Sequence, residues 1–448
     1  MVVEMKKICF LILLLVAPMV YAQTTREDLQ KDKIRMLANY APYGKPSMKQ
    51  TPAPKGYKPF YISHYARHGS RHLISNSAYH YLIPLMEKAE KEDQLTDLGK
   101  TMLERARKGY AHAKGKGGEL SLLGGKQHEQ TARRMYKKYP QVFRKDNIVT
   151  AYASYVDRSR QSMEHFCAEL RRMNPKLQIS EYSGKEYSYF VRPGHDSIGY
   201  ESGSKAVKRR AERMEDSLKH TVNISDRIFK NPKFVTDNKK KHYLVAHSFH
   251  EIYKSMYSLP EVGLDFNVFT DDELFTYFKM FNINWMERTY VIPGEPPFYK
   301  RAYATLKNMI SLADEAIRQG RDGATLRFGH DTFVMPLAYV LGMDGCADFS
   351  PREEDWEESY KYFVAADIVP MAANVQMIFY KNKKGGDILV KFLLQEKEKH
   401  VPVKTDMWPY YRWSDVKDYY MNLMEKVSPI EYVNPDKPAT SNDKEINT

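Results

Sequence analysis

The chain is 448 residues long, 42% hydrophobic and 28% charged. That balance excludes a disordered chain and a membrane-embedded one, and the length admits two domains or one domain with a large insertion. A formal charge of +13 favours an anionic partner: a phosphorylated small molecule, a nucleic acid or an anionic surface. No interleaving of aromatic and basic residues supports the nucleic acid.

Residues 1–22 read as a secretory signal. Lys6 and Lys7 form its basic start, 8–16 an apolar core too short to span a bilayer, and Val20-Tyr21-Ala22 a small-residue end that places cleavage after Ala22. The mature chain, at +12, is expected in a periplasm or outside the cell, with no membrane anchor because no lipobox cysteine follows. Cys9 leaves with the signal. Cys167 and Cys346 remain, either as a disulfide, which export permits, or as two free buried thiols.

Residues 23–56 read as a short helix and then an extended arm. Alternation over 57–63 predicts a strand. It runs into Arg67-His68-Gly69-Ser70-Arg71, where two guanidiniums flank one imidazole. Arginine presents planar forks of donors that suit phosphate oxygens. A neutral imidazole between them is a candidate nucleophile for phosphorus. The same arginines disfavour a third positive charge, so His68 is expected to stay neutral in mild acid.

Helices are predicted from 76 or 77 to about 91 and over 95–108. A glycine turn at 120–128 feeds an amphipathic helix that stops before Pro140. A strand over 148–154 leads into Asp157-Arg158-Ser159-Arg160 and a helix over 163–173. Arg158 is the candidate here, and Arg160 reads as a surface residue paired with Asp157 or Glu164. Residues 183–297 lack strong strand runs and read as mostly helical, with helices over 205–219, 247–257 and 270–281. Thr270 before three acidic residues is a helix-start signal. The basic run at 238–241 reads as a solvated loop, and the proline-rich stretch at 293–297 marks a boundary.

A helix over 299–318, a strand over 324–328 and a helix over 335–341 follow. Gly329-His330-Asp331 lies between that strand and that helix. The same tripeptide occurs at 194–196, but ligand sites gather at the C-terminal ends of strands, so the second copy is taken as functional. Residues 374–380 and 387–393 predict a hairpin, and 433–448 a disordered tail.

The Arg-His-Gly-x-Arg turn, the glycine phrase at 120–128, the Ser–x–x–Asp–Arg pattern ending in Arg158 and the late His-Asp occur in a telling order. In that order the chain resembles the histidine phosphatase superfamily, specifically its acid phosphatase and phytase branch, over nearly the whole mature length. The phrasing of 120–140 is most similar to bacterial multiple inositol polyphosphate phosphatases.

The resemblance implies an α/β fold with a central mixed sheet flanked by helices. The catalytic domain would comprise 23–182 and 298–432, with a smaller, mostly helical insertion domain at 183–297. It also implies a histidine acid phosphatase that hydrolyses phosphate monoesters, inositol polyphosphates such as phytate among them, with no cofactor and no metal. His68 would attack phosphorus and become a phosphohistidine. Arg67, Arg71, Arg158 and His330 would hold the phosphate oxygens, and Asp331 would protonate the leaving alkoxide. Two departures stand out. His72-Leu73-Ile74 occupy the place where the family often has Pro-Thr, which puts the threonine's phosphate contact in doubt. Many inositol polyphosphate phosphatases carry His-Ala-Glu where this chain has His330-Asp331, which assigns the proton to Asp331.

Rival readings use the same residues. A broad-specificity or sugar-phosphate acid phosphatase needs the same groups. A phosphomutase shares the phosphohistidine step. An exported phospholigand-binding protein would need the arginines but not Asp331. Zinc on His64, His68 and His72 would need a helix through Gly69, and the arginines would repel the cation.

Overall fold

The computed structural model describes residues 23–425 apart from 45, 47–48, 194–204, 220, 236–238, 287–300 and 347–352. The expected signal at 1–22, the first Gly-His-Asp at 194–196, the proline-rich boundary at 293–297 and the expected tail at 433–448 lie outside the described residues.

The protein is built on a mixed sheet flanked by helices. Its strands are β1 (Tyr57–Arg67), β2 (Ile148–Ala153), β3 (Gln178–Ser183), β4 (Gly323–Gly329), β5 (Asn374–Asn382), β6 (Leu389–Leu394), β7 (Lys397–Glu398) and β8 (Tyr410–Arg412). The order is β3-β2-β4-β1-β5-β6-β7, with β8 also paired to β6. The neighbours β3, β2, β4 and β1 run parallel, and β5 turns antiparallel against β1. β4 is buried along its whole length, as expected of a central parallel strand covered on both faces. The predicted hairpin is β5–β6.

Each face of the sheet carries its own apolar core. On one side the Ala302–Arg318, Asp331–Val340 and Trp413–Glu425 helices contribute Leu306, Met309, Phe333, Leu337 and Trp413. On the other the Leu122–Lys138 and Asp157–Met173 helices contribute Met135, Phe166 and Leu170. A third, all-helical core joins the Ser77–Lys91, Asp97–Ala113, Lys239–Met256 and Asp271–Met286 helices. It therefore draws on chain from both sides of residue 183.

Some local readings change. Residues 239–241 form the first turn of the Lys239–Met256 helix rather than a solvated loop. The edge strand β3 was not foreseen, because its alternating exposed and half-buried residues are mostly polar. Thr270 accepts from the Glu273 N–H and Glu273 reaches back to the Thr270 N–H, as the helix-start signal predicts. Cys167 and Cys346 are both buried and form no disulfide among the described residues.

Candidate active site

Three parallel strands end side by side, and each delivers part of one pocket. β1 ends at Arg67, paired with Gly329 at the end of β4. His68 follows β1 and donates its backbone N–H to the Gly329 carbonyl at 2.9 Å. His330 follows β4 and precedes the Asp331–Val340 helix, so Asp331 is that helix's first residue. β2 ends at Ala153, and five residues later Arg158 sits in the first turn of the Asp157–Met173 helix. Ligand sites in open α/β sheets form at such strand ends.

The turn after His68 is fastened from two helices. The Gly69 N–H donates to Ser162 Oγ at 3.1 Å and the Ser70 N–H to Gln127 Oε1 at 2.8 Å. A Cβ on Gly69 would lie 2.4 Å from the Gly124 carbonyl oxygen, and one on Gly124 would lie 2.2 Å from that of Ser70. The glycine phrase at 120–128 therefore lets the 122–138 helix approach the turn, and Gln127 then holds it.

His68 is buried, and its Nδ1 lies 2.9 Å from the Gly69 carbonyl oxygen. A carbonyl only accepts, so Nδ1 carries the proton and Nε2 keeps its lone pair. Burial holds the imidazole well below its ordinary pKa, and Arg67, Arg158, His330 and Arg71 push the same way. His330 packs edge-on against His68 at 5.6 Å and lies 3.0 Å from Ser154 Oγ. Burial, then Arg158 and Arg192, likewise hold its pKa well down.

Arg67 is fully buried. Its Nη1 donates to the carbonyls of Asn39 and Val369, and its Nη2 meets Asp331 Oδ2 at 2.8 Å. Burial would raise the Asp331 pKa, but Arg67, the Asn39 amide, His330 and Arg71 outweigh it and hold the carboxyl well below its usual range. Arg71 stacks on Tyr40 at 5.0 Å and donates to its hydroxyl at 3.3 Å. Lys254 lies over the same ring at 4.4 Å. Arg158 and Arg71 form no ion pair among the described residues. The Nε atoms of Arg67, Arg71 and Arg158 are buried without a hydrogen-bond partner. Burial, followed by the neighbouring Arg71, lowers Arg158 to about 10. Unpaired buried cations are costly, so this cluster is built to receive an anion.

The other singled-out residues lie elsewhere. His64 faces Phe166 and Phe328, and His72 stacks on His112 at 5.4 Å, so these two do not converge with His68 on a metal. Arg160 pairs with Asp157 and Glu164. Leu73 is buried and Ile74 is 62% exposed; neither carries a donor for phosphate. The sequence reading missed Asn39, Tyr40, Arg192 and Ser154. Only Ser154, inside the strand–Ser–x–x–Asp–Arg phrase, left a signal.

A lone-pair-bearing imidazole beside unneutralised guanidiniums and one carboxylate is the equipment of a phosphatase that works through histidine. Comparison with known proteins agrees. Residues 66–395 match the model of the histidine phosphatase superfamily (branch 2), and the chain belongs to that family. It is an enzyme of the histidine acid phosphatase class. Among solved structures it is similar to the multiple inositol polyphosphate phosphatase of Bifidobacterium longum in complex with phosphate. The two are 19% identical, with a TM-score of 0.71, over 86% of this chain and 97% of that one. It is also similar to the phytase from D. castellii, at 14% identity and a TM-score of 0.62, over 87% of this chain and 85% of that one. At these identities the shared feature is the fold. No curated protein matches the chain.

Proposed function

We propose that this protein is an exported phosphomonoesterase whose preferred substrates are inositol polyphosphates such as phytate, acting through a phosphohistidine on His68. The observation that carries the reading is the cluster of buried, unpaired guanidinium N–H groups around an imidazole whose Nε2 is free. One phosphate dianion would neutralise that cluster. Further charge adjoins it: Arg192 acts on His330 and Arg158, and Lys254 lies over the Tyr40 ring on which Arg71 stacks. These charges favour a substrate with several phosphates over one with a single phosphate.

In this reading Nε2 of His68 attacks phosphorus in line, a P–N bond forms and the P–O bond to the leaving group breaks. Arg67, Arg71, Arg158 and His330 hold the non-bridging oxygens, and each such donor supplies on the order of 10²–10³ in rate. Asp331 gives a proton to the departing alkoxide and later takes one from the water that cleaves the P–N bond.

Asp331 rests ionised, so the substrate must supply the proton. A phosphate monoester has its second pKa near ~6. Below that it arrives as a monoanion. Two like charges packed together cannot both stay ionised, so the proton passes to Asp331 as the arginines turn to the dianion. Activity is therefore expected to fall above about pH 6. The signal-like segment at 1–22 supports export.

A phosphate-release screen of the mature protein tests the reading. Inositol hexakisphosphate should give the highest kcat/KM, above sugar phosphates and an aryl phosphate. Preference for sugar phosphates would favour the broad-specificity alternative. Tight binding without release would mark a phospholigand-binding protein.

A further inference from the structure

Asp331 is held by three donors, from three different parts of the chain. Its Oδ1 accepts from the Thr332 N–H at 2.9 Å, and its Oδ2 meets Arg67 Nη2 at 2.8 Å and Asn39 Nδ2 at 2.9 Å. The third comes from the N-terminal arm, which has no part in the strand-end architecture of the pocket. The Asn39 backbone carbonyl also accepts from Arg67 Nη1. One residue of the arm thus contacts both members of the Arg67–Asp331 pair.

The arm is bent to make this contact. Ala38, buried immediately before Asn39, has φ 48 and ψ −126. An alanine there costs about 1–3 kcal/mol, and such strain persists only where the surrounding structure enforces it. Arg67 and the Met371 N–H, which donates to the Ala41 carbonyl at 2.8 Å, fix the arm after the bend, and the Arg35–Asp367 ion pair at 2.6 Å fixes it before.

We infer that Asn39 is the positioning residue for the proton donor, holding Asp331 in both of its protonation states. The inference rests on Asp331 being that donor. Arg67 and Thr332 present only N–H groups to Asp331 and cannot accept the proton of its acid form. A carboxylic acid on Oδ2 needs an acceptor. The Asn39 amide carries a donor and an acceptor on one rotatable plane. It donates to the carboxylate as found, and after half a turn its oxygen accepts from the acid. As Arg67 turns to the substrate's phosphate, Asn39 stays on Oδ2 and holds the acid's proton in place until the leaving alkoxide takes it.

The groups whose charge reaches Asp331 are Arg67 and Tyr65 from β1, Arg71 from the turn, Arg158 from the 157–173 helix and the adjacent His330. None of them is itself substituted in an Asn39 variant. Removing its amide takes away one stabiliser of the anion, so the acid limb of kcat/KM should move to higher pH in Asn39→Ala. It should move further in Asn39→Asp, where a second carboxylate faces the first. The alkaline limb, set by the substrate, should stay.

The test compares Asn39→Ala and Asn39→Asp with wild type on an alkyl and an aryl phosphate across the acidic and neutral range. An alkoxide needs the proton far more than an aryl oxide does. General acid catalysis contributes roughly 10²–10⁴-fold, and loss of aim should forfeit at least about tenfold more on the alkyl ester than on the aryl ester. Equal losses on both esters with an unmoved acid limb would overturn the inference. If Asn39→Ala does not fold, the near-isosteric Asn39→Asp decides alone by the position of its acid limb. A wild-type protein that releases phosphate from neither ester would overturn this inference together with the reading of His68 and Asp331. An active wild type with an unmoved Asn39→Asp profile would overturn only Asn39.

Discussion

His64 lies on β1 and His68 directly follows it, four residues apart, and the two end in opposite surroundings. His64 lies fully buried between Phe166 and Phe328, and neither ring nitrogen has a partner. Burial, then His128 and Arg327, push its pKa down to about 3. His68 is held down by burial too, but it faces guanidiniums and has one nitrogen fixed by a carbonyl. Neutrality alone therefore does not mark a nucleophile, because any imidazole sealed from water stays uncharged. The arginines repeat the contrast. Arg327 and Arg158 are both lowered to about 10 by burial. Arg327 spends its donors on Asn308 Oδ1 at 2.8 and 2.7 Å and on Ser63 Oγ at 3.1 Å. Arg158 keeps its Nε unpaired. What separates the proposed working residue from the packed one is what its polar atoms face.

The largest expected effect breaks the histidine pair apart. His68→Ala should lose more turnover than the roughly 10²–10³ that removal of a single donor costs. His64→Leu should keep turnover near wild type. It should also gain up to about 1 kcal/mol in urea unfolding, because two unsatisfied buried nitrogens are removed. Comparable losses in both variants would erase the distinction.

The arginine pair should divide by kind of damage. Arg158→Ala should fold normally and lose on the order of 10²–10³ in kcat/KM. Arg327→Ala should lose about 2–4 kcal/mol of stability, through a cavity and an abandoned Asn308 acceptor, with turnover per folded molecule near wild type. Denaturant midpoints and active-site titration together separate the two.

The last expected effect is a slope. The folded pKa of His64 lies below its unfolded value of about 6.5, so the unfolded chain takes up a proton that the folded chain refuses. Stability from this group is complete above about pH 6.5. It falls by ~1.4 kcal/mol per unit as the pH drops toward its folded pKa of about 3. His64→Leu should remove that much from the acid slope measured between about pH 6.5 and 4. An unchanged slope would mean that the ring is not sealed.

The sequence was most readable where chemistry and strand ends coincide. Arg67, His68 and Arg71 form one phrase, His330 and Asp331 another, and Arg158 opens a helix after a clear strand. Each phrase is short and contiguous, so local pattern carries it. The glycine phrase at 120–128 was readable as a helix entry, but its grip on the turn through Gln127 was not, because that bond spans 57 positions. Asn39 and Tyr40 were invisible for the same reason. They sit in an arm without periodicity and reach the pocket only through tertiary folding. β3 was missed because an edge strand half open to water needs no apolar run.

The most direct test of the central claim is to trap the covalent state. Asp331→Asn should still pass a phosphoryl group from an activated aryl ester to His68 but should be slow to release it, having lost the base for water. After quenching and alkaline digestion, the account predicts a single labelled peptide containing His68, and none in the same variant carrying His68→Ala. Phosphate release that continues with no label on His68, or with the label on His330, would contradict it.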